Sequence, residues 1–110
     1  MFADSDFLER VLTEMRAKYI TKTELAQQLE TLRIKWPVIK ERLSRQLLPS
    51  SEVKRRFQLV GAPVEPKDIG ISTDRLCNSF FRAYHLRQRF TIIDLAVRIG
   101  CLDEWLGRLF

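Results

Sequence analysis

Apolar residues in this chain recur at steps of three and four, and nowhere do they alternate with polar ones for long enough to make a strand. Phe7, Leu8, Val11, Leu12, Met15 and Tyr19 share one face of a helix predicted from Ser5 to about Lys18. Asp4 or Ser5 can cap it; Asp6 and Glu9 suit its positive end, Arg16 and Lys18 its negative end. Thr21, with Glu24 three residues later, is a capping box that opens a second helix on a seam of Leu25, Leu29 and Leu32. Pro37 restricts the residue ahead of it and has no amide to donate. The spacing therefore predicts a boundary at Trp36 and a new helix from Pro37, with Val38, Ile39, Leu43 and Leu47 as its apolar face. Leu48-Pro49-Ser50-Ser51 is a further stop and restart, for a short helix from Ser51 to Val60 closed by Gly61.

Residues 61–71 hold two of the four prolines and two of the four glycines, and read as an extended connector lying on the core through Val64, Ile69 and Ile71. Ser72 caps a helix predicted from Thr73 to about Gln88, with Asp74 in its first turn and Leu76, Phe80, Ala83 and Tyr84 at helical spacing. Thr91 and Asp94 form a second capping pair. They open a helix that carries Ile92, Leu95, Ala96 and Ile99 and stops at Gly100; Leu102 to Phe110 completes the chain. The reading is one all-α domain over 1–110, an orthogonal bundle of about seven short helices (1–60, connector 61–71, 72–110), packed most tightly in its aromatic-rich second half.

Composition narrows the class. A chain of 110 residues suits one domain with a modest core. Cys77 and Cys101 lie in apolar helical patterns without metal-binding spacing, so free thiols in a reducing, cytoplasmic setting are expected. No apolar run approaches the ~20 residues that span a bilayer. The net charge of +5 is spread: twelve Lys and Arg against nine acids in 1–66, seven against five in 67–110. A nucleic-acid reading would pair Lys54, Arg55 and Arg56 with the later arginines and treat two short helices as a helix-turn-helix, but no recognition helix stands out.

Groups for catalysis are few. His85 is the only histidine and fits a packing role better than that of a ligand or base. The glycines of 61–70 lack the spacing of a phosphate-binding loop, and no acid pair stands with a histidine in ligating register. The cluster Arg82, Arg87 and Arg89 has two readings. These forks could grip a phosphate or carboxylate of a ligand or partner; or, with Arg87 and Arg89 in the last turn of the preceding helix, they balance helix carbonyls and pair with Asp94 or other acids.

Gly61-Ala62-Pro63-x-x-Pro66-x-x-Ile69-Gly70-Ile71-Ser72, then Ala83-x-x-Leu86-Arg87-x-Arg89-Phe90-Thr91-Ile92-Ile93-Asp94-Leu95 and Gly100-x-Leu102-Asp103, resembles the C-terminal end of sn-glycerol-1-phosphate dehydrogenases. These are relatives of iron-containing alcohol dehydrogenases, glycerol dehydrogenases and dehydroquinate synthases. Trp36-Pro37 and Leu48-Pro49 fall where bacterial members carry such pairs, so the resemblance covers about residues 30–106. It implies the last part of an all-helical domain that works beside an α/β nucleotide-binding domain, with NAD(P) and a divalent metal. The family's metal ligands, one aspartate and two histidines, lie upstream of the matched region, and an aliphatic residue is usual at the place of His85. The resemblance thus implies no catalytic, cofactor or metal residue in this chain. The expected partners are a nucleotide-binding domain or another protein, with a homodimer left open.

Overall fold

Each of the two Thr-x-x-acid sequences opens a helix. The computed structural model describes residues 5–110 as helices α1 (Ser5–Lys18), α2 (Lys22–Gln46), α3 (Ser50–Leu59), α4 (Thr73–Tyr84), α5 (Ile92–Arg98) and α6 (Leu102–Leu109), with a 3-10 turn at Pro66–Ile69 and no strand among the described residues. The Thr21 hydroxyl accepts from the Glu24 amide at 3.2 Å while the Glu24 carboxylate accepts from the Thr21 amide at 2.7 Å. Asp4 lies outside the described residues, and Ser5 is the first residue of α1.

Three expectations are corrected. The helix does not stop before Pro37: α2 runs through it as one helix of 25 residues. A break needs a cap for the new amides and a left-handed or capping residue for the old carbonyls, and Ile34-Lys35-Trp36 supplies neither. The predicted helix to Gln88 instead ends at Tyr84, with His85 as its cap. Its last carbonyls are taken from outside the helix ladder. The Phe81 carbonyl accepts from His85 Nδ1 at 2.7 Å, and the Tyr84 carbonyl accepts from the Lys18 ammonium of α1 at 2.7 Å. Arg87 and Arg89 therefore sit beyond the helix, not in its last turn. The connector is also less extended than expected. Asp68, inside its 3-10 turn, accepts from the Val64 and Glu65 amides, both at 3.0 Å, and Gly70 closes the turn at φ +73°.

The core gathers in the second half, as its aromatic density predicts. Ala96, Leu102 and Leu106 are buried, with Cys77, Phe80, Phe81, Ile93 and Trp105 packed around them. Ala96 is 1% exposed, which lets α5 lie close to its neighbours. Val11 is the one buried residue of α1 among the described residues; α2 and α3 bury none. The apolar faces of those two helices stay open, with Trp36, Leu43, Leu47, Phe57 and Leu59 all exposed. Overall dimensions follow from that. The radius of gyration is 17.0 Å, against about 13 Å for a compact chain of this length. The accessible surface is 9179 Å², against about 6,300 Å² for a compact monomer of 13.0 kDa.

Candidate functional site

Lys18 is the last residue of α1 and Asp94 lies in the first turn of α5, yet their charged groups meet at 2.8 Å with side chains only 6% and 3% exposed. Taking two charges out of water costs several kcal/mol per ion unless each finds good partners. Here both do. Asp94 Oδ1 faces Lys18, and Oδ2 accepts from the Thr91 amide and hydroxyl, both at 2.8 Å. The Lys18 ammonium also donates to the Tyr84 carbonyl and lies 4.8 Å from the centre of the Tyr84 ring. No buried side-chain polar atom lacks a partner among the described residues. Burial is the largest influence on the Asp94 carboxyl and pulls its pKa up. The Lys18 ammonium, then the Thr91 hydroxyl and amide, together outweigh it and hold the pKa below the ordinary aspartate value.

This node fastens three helices: the end of α1, the end of α4 and the start of α5. Arg98 adds a fourth connection. Its guanidinium donates to the Lys18 carbonyl at 3.2 Å and to the Gln28 side chain of α2, and stacks 4.8 Å above the Phe90 ring. With the ammonium spent on a carboxylate, a carbonyl and a ring, the node has no free acid or base to offer a substrate. It is a clamp. Removing the Thr91 hydroxyl, which donates to Asp94 and accepts from the Ile93 amide, should be felt: Thr91→Ala is expected to cost about 1 kcal/mol. In a thermal melt that reads as a fall of about 5 °C, and an unchanged melt would show that the cap contributes nothing.

Beside the clamp, α2, Ile20, Phe90 and α5 enclose a groove of about 460 Å³ lined by Leu25, Leu29, Leu32 and Leu95. Its walls are mainly aliphatic, with Arg98 and Lys35 among the few charges. Such a shape takes up apolar surface and provides no converging polar groups.

The arginines singled out from sequence are not gathered into one site. Arg87 and Arg89 edge a shallow hollow of about 320 Å³ with Thr91 and Ile92, while Arg82 is exposed in the last turn of α4. None of them pairs with Asp94: the carboxylate is already held by Lys18 and Thr91. His85 caps α4 through Nδ1. Cys77 and Cys101 are free and half-buried. The basic run Lys54-Arg55-Arg56 is spent locally: Lys54 meets Glu65, and both arginines meet Glu52 at 2.8 Å. Arg55 first, then Arg56, draw the Glu52 pKa down to about 2.

Lys18 and Arg98 are the residues that sequence reasoning missed. In the sequence Lys18 is an ordinary basic residue at a helix end, and no spacing rule joins it to a carboxylate 76 positions later. The only available cue was Asp94 itself, a capping acid placed among Ile92, Ile93 and Leu95. Among the described residues no group of three His, Cys, Asp or Glu side chains could hold a metal ion. Among the same residues no helix is long and apolar enough to cross a membrane. Comparison with protein-family models, curated proteins and solved structures matches nothing.

Proposed function

We propose that this chain serves as the C-terminal helical part of a dehydrogenase of the sn-glycerol-1-phosphate type, non-catalytic by itself and completed by a nucleotide-binding domain. The observation that carries the reading is the open apolar surface. The chain leaves about 2,800 Å² more surface in water than a compact protein of its mass, most visibly along α2 and α3. A helical subdomain that walls a larger enzyme would leave such faces for its companion. NAD(P) and the divalent metal belong, in this reading, to the companion domain, and the chain itself packs as an orthogonal bundle of about seven helical elements in the cytoplasm. Arg87 and Arg89 would then face the companion or its anionic substrate.

The test uses the purified chain with dihydroxyacetone phosphate and NADH or NADPH, alone and mixed with a separately produced nucleotide-binding half of such an enzyme. No turnover is expected alone, and a complex with restored turnover after mixing. Turnover by the chain alone, or failure to associate with that half, would overturn the proposal.

A stand-alone helical interaction module is the second reading, and the groove between α2 and α5 favours it. Nucleic-acid binding has less support, because the pairing of Lys54, Arg55 and Arg56 with acids removes the charge that phosphates would need.

A further inference from the structure

The groove is one end of a longer feature. Along α2, Leu25, Leu29, Leu32, Trp36, Ile39 and Leu43 follow one another at alternating steps of four and three, the spacing that keeps an apolar seam on one side of a helix facing another helix. Leu25, Leu29, Leu32 and Ile39 line the groove and are half-buried. Trp36 and Leu43 continue the stripe into open solvent, at 44% and 39% exposure. The whole seam is about 27 Å long, too long for a compact small molecule and matched by a helix of similar length.

Charge selects the occupant. The positions flanking the seam are Ala26, Gln28, Arg33, Lys35, Lys40 and Arg42: four cations and no acid. The acids of α2 are turned away or engaged. Glu24 closes the Thr21 cap, Glu30 holds Arg33 and Glu41 holds Arg45. No ion pair among the described residues involves Lys35, Lys40 or Arg42. In a helix pair these flanking positions meet their counterparts across the seam. A second copy of α2 would bring cation against cation in either orientation, whereas a helix flanked by carboxylates would satisfy them. Pro37 is adjacent to a seam position but not on it, so it does not stand in a partner's way.

We propose that the α2 seam from Leu25 to Leu43 is the docking site for one amphipathic helix of a partner protein, with its apolar stripe flanked by Asp and Glu. This does not depend on the dehydrogenase reading: the seam would select the same helix whether a companion domain or an unrelated protein supplied it.

The probe is a designed peptide of about three heptads with Leu on the seam and Glu on both flanks, against a control with Lys on the flanks. Binding to the full chain is followed by Trp fluorescence and by calorimetry. The Glu peptide should bind at least tenfold more tightly than the Lys peptide, with the gap narrowing as salt rises. Lys35→Glu/Arg42→Glu, which turns one flank acidic and leaves Arg33 and Lys40 basic on the other, should erase the preference, and Trp36→Glu should weaken both peptides, with helix content by circular dichroism unchanged. Equal binding of the two peptides, or none, would overturn the proposal. So would a dimer of the chain at micromolar concentration that Trp36→Glu disperses, since that would make a second copy the occupant.

Discussion

Asp94→Ala is expected to destabilise the chain by about 3–5 kcal/mol, because it leaves the Lys18 ammonium in its 6%-exposed position without a counter-charge. A small open domain has little stability in reserve, so this loss should abolish the cooperative melt of α4, α5 and α6. Lys18→Met should cost a similar amount for the mirror-image reason. The double variant Lys18→Met/Asp94→Leu removes both charges and restores apolar volume, and should lose less than either single change. Losses that simply add would show that the two charges do not work as a pair. The pair also fixes the acid response. The folded-state pKa of Asp94 lies below its ordinary value, so the folded chain binds that proton more weakly than the unfolded chain does. Its stabilising contribution is complete above about pH 4 and fades as the pH falls through the lower folded value. Urea titrations across the acid range should show a flatter slope for Asp94→Asn than for the parent.

Local grammar was legible in the sequence because its causes lie within three or four residues. Thr21 with Glu24, Thr91 with Asp94 and Ser72 ahead of α4 all cap as their spacing predicts. Gly61 and Gly100 end their helices in left-handed conformations, at φ +70° and +71°. The concentration of the core around Ala96, Leu102 and Leu106 followed from aromatic density in the second half. What could not be read was set by partners far along the chain. The end of α4 at Tyr84 depends on Lys18, 66 positions earlier, which takes the carbonyl that would have extended the helix. The arginines were read as a cluster because they are neighbours in sequence. Once α4 ends early, Arg87 and Arg89 leave its surface and Arg82 stays behind. The buried partner of Asp94 proved to be a lysine from the first helix rather than any of them.

Pro37→Ala is expected to stabilise the second half of α2 by about 3 kcal/mol, the reverse of what a helix start would give. At a true first helical position the proline is favourable, since its missing amide has no role there, and alanine would be neutral or worse. Within the 25-residue α2 the same proline leaves the Arg33 carbonyl without its i+4 donor and biases Trp36 away from helical geometry. The cost is tolerated because a break would be worse: without a cap at 34–36, two new helix ends would expose several amides and carbonyls, and the seam would lose register between Leu32 and Ile39. Neither this half of α2 nor α3 has a buried residue, so it should open locally, at lower free energy than α5 and α6. Amide hydrogen exchange separates the two effects. In Pro37→Ala, peptides covering 38–46 should exchange about 100-fold more slowly, while those covering 92–106 keep their parent rates. Unchanged or faster exchange over 38–46 would mean that α2 is two helices joined at Trp36, and the continuous docking seam would fall with it.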